Sequence, residues 1–190
     1  TQNQNVVITD NIAPVANVTS LPNITAQCSV TALTPPTALD NCAGTITGTT
    51  SSPLVYTAQG TYTITWTFAD GNGNSTTANQ TVVVNDNTAP VSPTLADVTV
   101  GQCSGTPTAP TTTDNCAGII TGTTSTVFPL TTQGNHVITW TFADGNGNST
   151  TATQNVYVTD ITAPVAPTLP TLTGQCSVAV TVPTTTDNCA

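Results

Sequence analysis

Apolar and polar positions alternate most clearly over Ile64-Thr65-Trp66-Thr67-Phe68. This puts Ile64, Trp66 and Phe68 on one face of an extended strand and Thr65 and Thr67 on the other. Asp70-Gly71-Asn72-Gly73-Asn74 follows with the residues of a tight turn, and Ala78, Gln80, Val82 and Val84 begin a second alternation. The pattern predicts a β-hairpin with an aromatic core face. Ile64 to Ala78 returns letter for letter at Ile138 to Ala152, 74 residues on, so the chain is a tandem repeat. Cys28, Cys103 and Cys176, then Cys42, Cys116 and Cys189, then Asp10, Asp86 and Asp160 recur at intervals of 73 to 76 residues.

The repeat sets the expected domains. Val6, Val7, Ile8 and Asp10 match Val82, Val83, Val84 and Asp86, so residues 1–10 read as the last strand of a preceding repeat. Residues 11–86 and 87–160 read as complete repeats and 161–190 as the opening of a further one, which makes the whole a segment of a longer array. Each repeat begins with a proline connector (Ala13-Pro14-Val15, Ala89-Pro90-Val91, Ala163-Pro164-Val165), expected to be short and stiff. A strand is expected after each first cysteine, clearest at Ser177 to Val182, where Val178, Val180 and Val182 share a face. Ile46 to Thr49 and Ile120 to Thr123 read as a further strand, with Leu54 to Tyr56 and Val127 to Leu130 as an edge element. Short strands between turn signals, with no helical period, describe an all-β antiparallel sandwich.

Composition narrows the function. The chain has no Lys, Arg, Glu or Met, one His, and nine acidic residues that are all Asp. Nucleic acid is not expected as a partner, because binding it rests on cationic side chains neutralising phosphates. Direct membrane insertion is not expected either: no apolar run approaches the ~18 residues of a span, and the net charge of −9 disfavours anionic surfaces. Ser, Thr and Asp residues have no evident base beside them, so the chain is not expected to be an enzyme. Intramolecular Lys–Asn isopeptide bonds are impossible without Lys.

Several motifs together resemble the hyalin repeat, or HYR domain, an immunoglobulin-like module. They are Thr113-Asp114-Asn115-Cys116-Ala117-Gly118, the glycine before each aromatic strand (Gly60, Gly134), the Asp-Gly-Asn-Gly-Asn turn, and the endings Val82 to Asp86 and Val156 to Asp160. The resemblance covers essentially the whole chain and implies tandem immunoglobulin-like repeats of about 74 residues. It also implies an extracellular adhesion protein, such as the long surface adhesins of gliding Gram-negative bacteria. Many family members carry a cysteine in the final strand. Ala78 to Val84 has none, so no disulfide pattern is carried over.

Two cysteines per repeat point to disulfides and an oxidising compartment. Two repeating arrangements are open. One pairs Cys28 with Cys42, Cys103 with Cys116 and Cys176 with Cys189, and is preferred; it closes loops of about 14 residues, worth roughly 3 kcal/mol each. The other joins Cys42 to Cys103 and Cys116 to Cys176. A zinc site lacks ligands.

The aspartates are the other candidates. Asp70, Asn72 and Asn74, and likewise Asp144, Asn146 and Asn148, imitate the start of a calcium loop, but Ser75 and Ser149 replace its glycine and no Glu follows. In an immunoglobulin-like array the end of one unit meets the hairpin turn of the next. Asp86 is then expected near Asp144 and Asp10 near Asp70, with Asp40 and Asp114 nearby, and calcium as the candidate ion. His136 stands where Tyr62 stands in the preceding repeat and reads as packing. Trp66 and Trp140 read as core anchors. Asn17, Asn23, Asn74, Asn79 and Asn148 open Asn-x-Ser/Thr sequons and are candidate glycosylation sites.

The expected function is structural: a secreted or surface-displayed fibre, filament or adhesin shaft, a disulfide-stapled semi-rigid spacer whose partners are neighbouring repeats or filament subunits. The alternative is a glycan-binding module array using exposed aromatics and amides, with surface glycans as partners. Burial of the two tryptophans separates them.

Overall fold

The computed structural model describes residues 2–18 and 20–189. The chain divides into two compact units, residues 1–88 with 145–148, and residues 89–144 with 149–190. Among the described residues every regular element is a β-strand.

In the first unit the strands are β1 (Val15–Ala16), β2 (Ile24–Ala26), β3 (Thr37–Asp40), β4 (Gly44–Thr47), β5 (Gly60–Ala69) and β6 (Ser75–Val84). β1, β3 and β4 form one sheet in that order; β2, β6 and β5 form the other. The predicted hairpin is β5–β6, in unbroken antiparallel register from Gly60↔Val84 to Ala69↔Ser75. β2 runs parallel to β6, with Ala26 opposite Val84. Two faces of alternating side chains meet as in an immunoglobulin-like sandwich.

The alternation read from sequence is the burial pattern. Ile64, Trp66, Phe68, Val82 and Val84 are at most 1% exposed and pack with Leu21, Val30, Leu33, Ala38 and Tyr56. The one large polar group among them is satisfied: the Trp66 indole Nε1 donates to Gln80 Oε1 at 2.9 Å, and Gln80 Nε2 donates to the Pro22 carbonyl at 3.0 Å. Gln80 thus gives the buried indole an acceptor and fastens the loop before β2 to the hairpin.

The second unit repeats the plan with β7 (Val98–Gly101), β8 (Thr111–Asp114), β9 (Gly118–Thr121), β10 (Gly134–Ala143) and β11 (Ser149–Val158). The β10–β11 hairpin has the same ten-pair register, β7 runs parallel to β11, and β8 pairs with β9. Its core is separate: Ile120, Leu130, Ile138, Trp140, Phe142, Val156 and Val158. Trp140 donates to Gln154 at 3.0 Å and Gln154 to the Ala96 carbonyl at 3.1 Å. Gly122 is demanded by the aromatic strand: a Cβ there would sit 2.9 Å from Phe142 Cε1, as one at Gly48 would from Phe68 Cε1.

Two expectations need correction. Ser177 to Val182 forms no strand, and Val178, Val180 and Val182 are 42%, 77% and 88% exposed. Residues 2–10, read as a final strand, are likewise without strand structure, with Val6, Val7 and Ile8 exposed. Residues 29–34 and 104–109, the counterparts of 177–182, also form no strand and hold only the isolated bridges Val30↔Tyr56 and Gly105↔Leu130, so alternation by itself does not supply a pairing partner.

Candidate functional site

The chemistry-bearing residues collect at the two ends of each sandwich. At one end lies the Asp-Asn-Cys-Ala turn. Asp40 Oδ1 accepts from the amides of Cys42 and Ala43, both at 2.8 Å, and Gly44 follows at φ 75°, where a side chain would be strained. Asp114 does the same for Cys116 and Ala117 at 2.8 and 2.9 Å, and Asp187 for Cys189 at 2.9 Å. The motif is a carboxylate-capped turn that holds its cysteine in a fixed place.

The hairpin tip is built alike. Asp70 Oδ1 accepts from the amides of Asn72 and Asn74 at 2.7 and 3.0 Å, and Oδ2 from Asn74 Nδ2 at 2.6 Å. Partial desolvation pushes the Asp70 carboxyl up, but these hydrogen bonds, with one from the Gly73 amide, outweigh it and hold the pKa below its ordinary value.

Asp10, Asp40 and Asp70 come together, with one carboxylate oxygen of each within 4.8 Å of the others. Asn72 Nδ2 donates to Asp10 Oδ2 at 3.2 Å and Asn74 Nδ2 to the Asp10 carbonyl at 3.3 Å, so the connector is laced to the tip. Cys42 lies at the same place. Its thiol pKa is raised by partial desolvation, then by the negative charge of Asp10 and Asp40, a hydrogen bond to Asp10, and the charge of Asp70. Asp86 is 3% exposed and accepts from Asn146 Nδ2 at 3.1 Å and, through its carbonyl, from Asn148 Nδ2 at 3.2 Å, while Asp144 is 9% exposed. In the third repeat Asp160 and Asp187 gather with Cys189.

The cysteine pairing differs from both arrangements drawn from the sequence. Cys103 is bonded to Cys189, with Cα atoms 4.8 Å apart and a sequence separation of 86. Cys28 and Cys116 each take part in a disulfide, whereas Cys42 and Cys176 are free thiols. The geometry explains why Cys28 and Cys42 do not meet. Cys28 follows β2, whose end lies beside Val84 and hence Gly60, while Cys42 sits by Asp70 at the other end of β5. Ten residues of strand separate these ends by about 33 Å, far beyond the ~7 Å limit between disulfide Cα atoms. Within the second unit Cys103 is therefore joined not to its own repeat but to the entry turn of the next.

The bridge sits in an amide clasp. Gln102 Oε1 accepts from Thr162 Oγ1 at 2.6 Å and Asn188 Nδ2 at 3.1 Å; Gln133 Oε1 accepts from the Asp160 amide at 2.8 Å, and Gln133 Nε2 donates to the Gln102 carbonyl. The first unit has the same clasp: Gln27 Oε1 accepts from Thr88 Oγ1 at 2.7 Å, and Gln59 joins the Gln27 carbonyl at 3.0 Å to the Asp86 amide at 2.7 Å. Sequence reasoning missed these glutamines. Their signal was a Gln before each first cysteine (Gln27, Gln102, Gln175) and before each hairpin glycine (Gln59, Gln133).

The remaining candidates are structural or occupied. His136 Nε2 donates to the Thr132 carbonyl at 2.8 Å, the bond that Tyr62 makes to the Ala58 carbonyl at 2.9 Å. Asn74 and Asn148 are tied into the turns described above. Asn79 accepts from Thr65 Oγ1 at 2.9 Å, Asn17 donates to Thr37 Oγ1 at 2.6 Å, and Asn23 is exposed.

Sandwich repeats with carboxylate-capped cysteine turns define an immunoglobulin-like repeat module. Residues 10–84 match the HYR-like domain with four cysteines, and the chain carries an HYR domain there. That matched stretch holds two cysteines, Cys28 and Cys42. The chain is also 34% identical to hyalin of Strongylocentrotus purpuratus in an alignment of 177 residues that covers 82% of this chain and 15% of that protein's length.

Proposed function

We propose that the chain is a spacer segment of an extracellular, adhesion-type repeat protein, built to hold a length under tension. The observation that carries this reading is the Cys103–Cys189 bridge. It offers pulling force a covalent path from the second repeat to the opening of the third, bypassing the β10–β11 hairpin and its core. The kinship with HYR domains and hyalin, and disulfides that persist in oxidising compartments, support placement outside the cell or at its surface. The amide clasps and proline connectors limit bending at the joints. Burial of Trp66 and Trp140, 1% and 3% exposed, removes them as sugar-stacking platforms and favours the spacer over a glycan-binding array.

Single-molecule stretching tests the proposal. Reduction is expected to lengthen the fully extended chain by about 300 Å, the contour of the residues enclosed by the bridge, and to lower the force at which the second unit opens. An equal contour length before and after reduction contradicts it.

A further inference from the structure

Asp40 is an unusual carboxylate. It is 5% exposed, its Oδ1 is used by two backbone amides, and its Oδ2 has no hydrogen-bond partner. A buried carboxylate oxygen in this state ordinarily takes an Arg or Lys, or becomes neutral. This chain contains neither residue type, so no cation of its own is on hand. Two further carboxylates, Asp10 and Asp70, stand within 4.8 Å of it instead. Asp10 and Asp70 accept from amides of the hairpin tip, but no cationic side chain of the protein offsets the charge of the three.

We propose that Asp10, Asp40 and Asp70 bind a calcium ion. The donors are hard oxygens, the ligand class of calcium and magnesium rather than of softer transition metals. Coordination habit selects between those two. Magnesium demands near-ideal octahedral geometry and dehydrates reluctantly, whereas calcium takes oxygens in flexible geometry, which suits carboxylates carried on three separate pieces of chain whose oxygens lie within 4.8 Å of one another. Asn72 and Asn74 turn their amide nitrogens to Asp10 and Asp70 and hold those carboxylates in place, and water would complete the six to eight ligands that calcium accepts in flexible geometry. The same unpartnered atom recurs at Asp114 Oδ2, and Asp160 gathers with Asp187 in the third repeat, so the arrangement belongs to the repeat rather than to one loop. The ion would fasten three pieces of chain: the connector through Asp10, the β3–β4 turn through Asp40 and the hairpin tip through Asp70. The inference does not depend on the spacer reading, because it concerns one end of one sandwich.

The test is calcium titration of the 190-residue chain with Cys42→Ser and Cys176→Ser, which removes thiolate ligands and thiol-linked dimers. Amide resonances of Ala43, Asn72 and Asn74 are followed at low salt. Saturable shifts are expected with a dissociation constant on the order of 0.1–1 mM, the range of extracellular calcium modules. Asp40→Asn is the decisive variant. Its Oδ1 still caps the turn, and removing an uncompensated buried charge leaves the ion-free melting temperature unchanged or higher, so a misfolded variant is recognisable. Loss of the shifts in this folded variant supports the site. Absence of shifts up to 10 mM calcium, or identical shifts in Asp40→Asn, would each overturn it.

Discussion

Residues 89–158 and 161–189 carry the same motifs but differ in structure. Both have a proline connector, a Gln-Cys pair and an Asp-Asn-Cys turn. Both make the local contacts: the Val91 amide donates to the Thr113 carbonyl at 3.0 Å and the Val165 amide to that of Thr186 at 3.3 Å, and Asp114 and Asp187 both cap their cysteine turns. In 89–158 the segment before the first cysteine becomes β7, held against β11, whereas residues 161–189 have no strand among those described. The difference is the aromatic hairpin. Turn chemistry is satisfied by neighbours in sequence, but a strand edge and an apolar face need a long-range partner to bury them. The hairpin is the template, and the segments before it are added strands.

The severest way to break the comparison is to make the hairpin of 89–158 fail. Trp140→Ala removes a buried indole and strands Gln154, and the usual cost of about 3–5 kcal/mol is a large part of a small domain's stability. Hydrogen exchange should show protection lost together over Val98–Gly101 and the hairpin, so that this region resembles 161–189, while the first unit keeps its protection because its core is separate. Protection persisting at Val98–Gly101 after the hairpin has lost its own would break the comparison. A smaller effect sharpens it. Gly122→Ala places a Cβ at 2.9 Å from Phe142 and should cost about 1–3 kcal/mol in denaturant unfolding, with Gly48→Ala acting equally on the first unit. A neutral result would mean that the aromatic face is not closely packed.

Much of the fold was legible because its strongest signal is local. Ile64, Trp66 and Phe68 alternate over a few residues, and an exact repeat doubled the evidence. What the pattern could not convey is pairing across distance. Val178, Val180 and Val182 alternate as well as any strand, yet alternation specifies a face and not a partner. The cysteines failed for a related reason: Cys28 and Cys42 are close in sequence, but β5 holds their surroundings a full strand length apart. The approach of Asp10 to Asp70 was readable from the order of units in an array. The partnerless state of Asp40 Oδ2 was not, since it depends on how the turn buries one oxygen while capping with the other.

The central claim is that sulfur joins the end of one repeat to the entry of the next. Peptide mapping by mass spectrometry under non-reducing conditions tests it directly, with free thiols blocked before digestion by an enzyme that does not need Lys or Arg. The account predicts a cross-linked species containing Cys103 and Cys189, with Cys42 and Cys176 carrying the blocking group. Peptides linking Cys103 to Cys116, or Cys176 to Cys189, would contradict it.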